Sequence, residues 1–157
     1  MINMNEPGNS NRQPITNKGR KGNPYAQTIL NLEIKTYDID VAGHVNNAVY
    51  VHWFEDLRTK LFNDHFNLSK LLAKNLYPVV ISTEIHYKKS LKLFDKPVGV
   101  MYIESLNHGI FTLKAEIKLD GKLSASGLHK CVMFDLKNST IIRSRELKEI
   151  FDSTLLL

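Results

Sequence analysis

Between Asn47 and Phe62 the apolar side chains recur every three or four residues, at Val49, Tyr50, Trp53, Phe54, Leu57, Leu61 and Phe62. That is the period of an α-helix, and His52, Glu55, Asp56, Thr59 and Lys60 fill its opposite face. A helix over 47–62 would be about 24 Å long at 1.5 Å per residue. So wide an apolar stripe must be buried against something. Elsewhere in the chain the hydrophobic period is two, so the surface on offer is a sheet, and a sheet curved around the helix is the economical way to cover it. The expectation is an α+β fold.

The period-two segments supply the strands. Thr28–Ile34 puts Leu30, Leu32 and Ile34 on one face. After Pro78, Ile81, Thr83, Ile85 and Tyr87 alternate with Ser82, Glu84, His86 and Lys88, and Val98–Ile103 forms a further apolar run. Phe111, Leu113, Ala115, Ile117 and Leu119 alternate with Thr112, Lys114, Glu116 and Lys118. Asp120-Gly121 then signals a two-residue hairpin into a strand near Leu123–Phe134. The order predicts a strand, the long helix, an antiparallel meander of four strands and a short closing helix at Arg145–Phe151. The charged faces of the strands suit a sheet with one wet side.

Composition narrows the classes. The chain has 157 residues, one domain's worth, and is 43% hydrophobic and 24% charged, which excludes collagen, coiled coil and disorder throughout. No apolar run approaches the ~18 residues of a membrane helix, and the N-terminus lacks the apolar stretch of a secretory signal. Cys131 is the single cysteine, so neither a disulfide framework nor a cysteine-based zinc site is available. These readings together point to a cytoplasmic protein. The net charge of +5 invites nucleic acid as a partner, but residues 1–24 hold Arg12, Lys18, Arg20 and Lys21 against Glu6, leaving a nearly neutral body. Residues 1–24, rich in Asn, Pro and Gly, are expected to be a flexible basic tail, and 25–157 the folded domain.

The stretch ahead of the helix gathers Asp40, Gly43, His44, Asn46 and Asn47 within eight residues. Backbone N–H groups at a helix start lack intrahelical acceptors and carry positive partial charge, so they can polarise a carbonyl oxygen. A carboxylate such as Asp40 beside that carbonyl could attack it or activate a water. His44 could hold or deprotonate the water, or orient Asp40 by a hydrogen bond. Each residue also has a structural use: Asn46 or Asn47 as helix cap, Gly43 in a tight turn, His44 as packing.

The run Asp38-Ile39-Asp40-Val41-Ala42-Gly43-His44-Val45-Asn46-Asn47-Ala48-Val49-Tyr50, followed by Trp53-Phe54-Glu55 and Arg58, resembles the hotdog-fold acyl-CoA thioesterases of the 4-hydroxybenzoyl-CoA thioesterase class. The shared pattern is D-x-D-x-x-G-H-V-N-N-x-x-Y just before the long central helix, and the looser likeness runs over about 27–152. The resemblance implies a single hotdog domain that hydrolyses an acyl thioester to a free acid and coenzyme A. Asp40 stands where the family's catalytic carboxylate stands, as nucleophile or general base. Asn47 stands where a backbone amide binds the thioester oxygen. His44 matches the histidine of a subgroup that includes plant acyl-carrier-protein thioesterases, where it assists the carboxylate. Those enzymes carry an asparagine where this chain has Ala42, so their hydrogen-bond network is not intact here.

The resemblance further implies a second polar group from the strand after the helix, for which Glu84 and His86 are the candidates, each also at home on a solvated sheet face. Lys88 and Lys89 at that strand's end would suit the phosphates of coenzyme A. Glu55 and Arg58 most simply pair along the helix. Coenzyme A enters as part of substrate and product, with no separate cofactor or metal. Family members are dimers or dimers of dimers, and the charge on Lys114, Glu116 and Lys118 favours the dimer, because burying it unpaired is costly. The other activities in view are acyl-carrier-protein thioesterase, hotdog dehydratase and a non-catalytic acyl-CoA-binding module.

Overall fold

The computed structural model describes residues 26–154. The expected basic tail over 1–24 lies outside the described residues. The elements run β1 (Gln27–Asn31), a short 3-10 turn (Thr36–Asp38), α1 (Asn47–His65), α2 (Leu68–Ala73), β2 (Leu76–Tyr87), β3 (Val98–Asn107), β4 (Ile110–Leu119), β5 (Lys122–Asp135), β6 (Thr140–Ile141) and α3 (Ser144–Thr154).

Helix α1 buries Tyr50, Trp53, Phe54, Leu57, Leu61 and Phe62, six of the seven positions that the spacing singled out. At about 1.5–3 kcal/mol for each large apolar side chain removed from water, this stripe is the principal local reason for the helix. Asn46 caps it, its side chain accepting the Ala48 N–H at 2.9 Å. The helix runs one turn beyond Phe62, to His65, and ends where the Phe66 N–H bonds to the Phe62 carbonyl.

The antiparallel sheet has the order β1-β3-β4-β5-β2, with β6 paired to β5, and it curls around α1 as the α+β, hotdog expectation requires. The four-strand meander needs correction. Strands β3, β4 and β5 do form a meander, but β2 crosses over to pair with β5 at the far edge. Alternation marks a segment as a strand but does not name its neighbour, which is why the crossover was missed. Strand β2 also begins before Pro78, at Leu76, with a bulge between Val80 and Ser82. A proline is tolerated there because an edge strand leaves half its amides unpaired.

Strand β4 matches its expected alternation, with Phe111, Leu113, Ala115 and Ile117 fully buried. The Asp120-Gly121 hairpin is present, and both residues have positive φ, at 50° and 75°. That is the signature of the type I′ turn expected for such a pair. On the outer face Lys118 meets Glu116 at 2.7 Å and Lys114 meets Glu104 at 3.6 Å. At the far end of the core Phe151 of α3 packs tilted against Phe66 and edge-on to Phe111, with centroids 4.7 and 5.3 Å away.

Two glycines set how close α1 lies to the sheet. A Cβ on Gly127 of β5 would collide with the Phe54 ring, and one on Gly99 of β3 would stand 2.8 Å from Leu57. The helix therefore seats its central residues directly on bare backbone. Among the described residues no helix is long and apolar enough to cross a membrane.

Candidate active site

The segment leading into α1 is a closed turn built by Asp40. Its backbone N–H donates to the His44 carbonyl at 2.8 Å, and the Gly43 N–H donates to the Asp40 carbonyl at 3.0 Å. The Asp40 Oδ1 accepts the N–H of Ala42 at 2.9 Å and that of His44 at 3.1 Å. Gly43 has a φ of +76°, a left-handed backbone that suits glycine, and the space above its Cα is empty. Ile39 and Val45 bridge across the neck of this turn, and the Asn46 N–H bonds to the Asp38 carbonyl at 2.8 Å.

The turn holds the Asp40 carboxylate by one oxygen. Its second oxygen has no hydrogen-bond partner among the described residues. His44 orients Asp40 through its backbone amide, whereas its half-buried imidazole makes no hydrogen bond among the described residues.

Three residues on, α1 begins. The Ala48 amide is taken by the Asn46 side chain and the Val49 amide by the Asn46 carbonyl, at 2.9 Å each. The Asn47 amide has no acceptor among the described residues. It is thus a donor at the positive end of a 19-residue helix. A fixed carboxylate with an uncommitted oxygen and a free helix-start amide are what attack on, and stabilisation of, an acyl carbonyl require.

A family model described as the thioesterase-like superfamily matches residues 34–153. The chain belongs to that superfamily. Within it, the long-chain acyl-CoA thioesterase FadM of Escherichia coli strain K12 is 27% identical over 121 residues, covering 75% of this chain and 92% of FadM. The crystal structure of YbaW, a probable thioesterase from Escherichia coli, has a TM-score of 0.72 at 27% identity, covering 84% of this chain and all of that one. The DHNA-CoA thioesterase from Staphylococcus aureus has a TM-score of 0.70 at 20% identity, covering 81% of this chain and 89% of that one, and supports the fold.

Helix α1 is the frame for placing the remaining candidates. Glu84 and His86 bond to each other, Oε1 to Nε2 at 2.7 Å, and both are well exposed. Strand alternation puts them on the face opposite Tyr87, whose ring packs on Tyr50 of α1. The structure therefore brings together Asp40, Gly43, His44 and Asn47, and leaves Glu84 and His86 apart from them within one chain. Lys88 and Lys89 are exposed, and both their amides bond to the Ser124 carbonyl. Among the described residues no three His, Cys, Asp or Glu side chains gather to hold a metal.

Sequence reasoning missed two groups beside the turn. The Tyr87 hydroxyl donates to the Asn47 carbonyl at 3.2 Å, and the Leu91 carbonyl accepts the Val45 N–H at 2.8 Å. Tyr50 lies between them, its hydroxyl pushed up to about 12 by burial and so protonated. Only the alternation that placed Tyr87 on the apolar face hinted at this. Beneath the middle of α1 lies His129, with Phe54 edge-on to its ring at 5.5 Å and neither nitrogen hydrogen-bonded. Burial, and then the Arg58 guanidinium, push its pKa below the ordinary value, with Glu55 opposing. Arg58 pairs with Glu55 as expected.

Proposed function

We propose that this chain is an acyl-CoA thioesterase in which Asp40 acts on the thioester carbonyl and the Asn47 amide receives the developing negative oxygen. The carrying observation is the Asp40 turn: it fixes one carboxylate oxygen on two backbone amides, leaves the other uncommitted, and runs straight into the free amide of α1. Asp40 attacks the carbonyl carbon to give an acyl-enzyme anhydride that water then opens, or it takes a proton from an attacking water. In both cases the thiolate of coenzyme A leaves and is protonated. Gly43 permits the turn, and the imidazole of His44, whose amide already holds the carboxylate, is the group that would hold the water. The likeness to FadM favours coenzyme A over acyl carrier protein as the thiol.

The working unit in this reading is a homodimer. Strand β2 is a sheet edge along which Val79, Ile81 and Tyr87 remain exposed, an apolar edge that a second copy would cover. In this reading any part that Glu84 and His86 play is exerted from the outer face of β2 across that pairing, and Lys88 and Lys89 at the strand's end meet the phosphates of coenzyme A.

The test is a panel of short, long and aromatic acyl-CoAs with free-thiol detection. The reading expects thiol release from at least one class. Retention of CoA esters over hours without cleavage would replace it with a binding module.

A further inference from the structure

The loop between β2 and β3 carries a feature that the reaction at Asp40 does not use. Asp95 N–H bonds to the Lys92 carbonyl at 3.1 Å, and Lys92 N–H bonds to the Asp95 Oδ2 at 2.8 Å, closing a four-residue turn around Leu93 and Phe94. Phe94 sits at its third position with φ of +74°, in a place that turns with left-handed backbone ordinarily give to glycine or asparagine. Its side chain is 85% exposed. The two Asp95 bonds hold the strained backbone in place, yet the aromatic ring is left in water with no ring partner among the described residues.

The surroundings indicate what the ring is for. Lys88, Lys89, Lys92 and Lys96 are all exposed, and none has an ion-pair partner among the described residues. The one acid of the segment, Asp95, is tied to the Lys92 amide. The same loop is anchored at the reaction centre, because its Leu91 carbonyl holds the Val45 amide and its backbone lies against the Tyr50 hydroxyl.

We infer that Phe94 and the flanking Lys92 and Lys96 form the subsite for the nucleotide of the substrate, with adenine stacked on the Phe94 ring and the phosphates met by the lysines. This rests on the acyl-CoA reading and goes beyond it to name the residues that recognise the carrier. An aromatic face plus unpaired ammonium groups matches a purine carrying several phosphates. A bare cationic patch would need no ring, and an apolar contact would need no lysines.

The experiment compares one acyl group carried by coenzyme A and by pantetheine, which lacks the nucleotide, in wild type, Phe94→Gly, Phe94→Trp and Lys92→Ala/Lys96→Ala. The advantage of the CoA ester in kcat/KM falls roughly tenfold in the glycine and double-lysine variants, through KM, and returns in Phe94→Trp. Phe94→Gly relieves the strained φ, so its Tm rises while recognition is lost, which a merely structural role would not produce. Adenosine 3′,5′-bisphosphate competes with the CoA ester in wild type and loses potency in the variants. Equal effects on both carriers, a change of oligomeric mass in Phe94→Gly, or lost binding to anionic phosphatidylglycerol vesicles with the carrier ratio intact would each overturn the assignment. Failure of wild type to cleave either ester would instead overturn the acyl-CoA reading itself.

Discussion

The hydroxyl of Tyr87, the last residue of the edge strand β2, donates to the carbonyl oxygen of Asn47, the first residue of α1, at 3.2 Å. This bond ties the outermost strand of the sheet to the helix start that supplies the free amide, while the Tyr87 ring meets Tyr50 edge-on at 5.1 Å. Removing the hydroxyl leaves the ring contact in place. Tyr87→Phe should therefore cost about 0.5–1.5 kcal/mol, the usual worth of one such bond, read as a shift in the urea midpoint at constant slope. A loss of several kcal/mol would show that Tyr87 does more than tether the helix.

Gly127 sets the seat of α1. A methyl group there collides with the Phe54 ring, so Gly127→Ala should destabilise the fold by about 1–3 kcal/mol. Phe54→Leu alone opens a gap and is also destabilising. The double variant should recover part of the loss, giving a coupling of at least about 0.5 kcal/mol in a double-mutant cycle. Strict additivity would mean that the helix simply shifts.

His129 makes stability depend on pH. Its folded-state pKa lies below the ordinary value because burial and Arg58 disfavour the imidazolium, whereas the unfolded chain binds a proton near pH 6.5. The unfolded state therefore holds more protons as the pH falls below about 6.5. The contribution of His129 is fully present above that pH and is lost below it, by at most about 1.4 kcal/mol per pH unit. Urea unfolding at pH 7.5 and 5.5 should show this decline in wild type and less of it in His129→Phe. An equal decline in both would place the proton elsewhere.

Gly43 should resist substitution for a backbone reason alone. With φ of +76° and open space above its Cα, Gly43→Ala meets no neighbour and costs about 1 kcal/mol of conformational strain. Because the strain falls on the turn that holds Asp40, thioesterase turnover should drop by more than that loss of stability explains. Matched crystal or NMR data on the turn would check the cause.

Much of this was legible because it is local. The α1 stripe, the β4 alternation, the Asp120-Gly121 turn and the Asn46 cap each depend on residues within a few positions of one another, and each appears where its pattern predicts. What escaped was long-range. Nothing in the alternation of Ile81–Tyr87 says that β2 pairs with β5 rather than β3, and the bulge after Val80 disguises the five residues before Ile81. Helix α2 is a single six-residue element with no full apolar stripe to announce it. The strand β6 has only two residues. At the site, Asp40, Gly43 and His44 were readable as a motif. The Tyr87 hydroxyl and the Leu91 carbonyl reach it only because the chain returns from some forty residues away.

The central claim is that the charge on Asp40, and not merely its place in the turn, drives thioester cleavage. Asp40→Asn separates the two, since an amide oxygen still accepts the Ala42 and His44 amides while the charge is gone. With an acyl-CoA that wild type cleaves, kcat should fall by roughly 10²–10⁴ in Asp40→Asn, with Tm and KM close to wild type. Turnover within twofold of wild type in a folded Asp40→Asn would contradict the account.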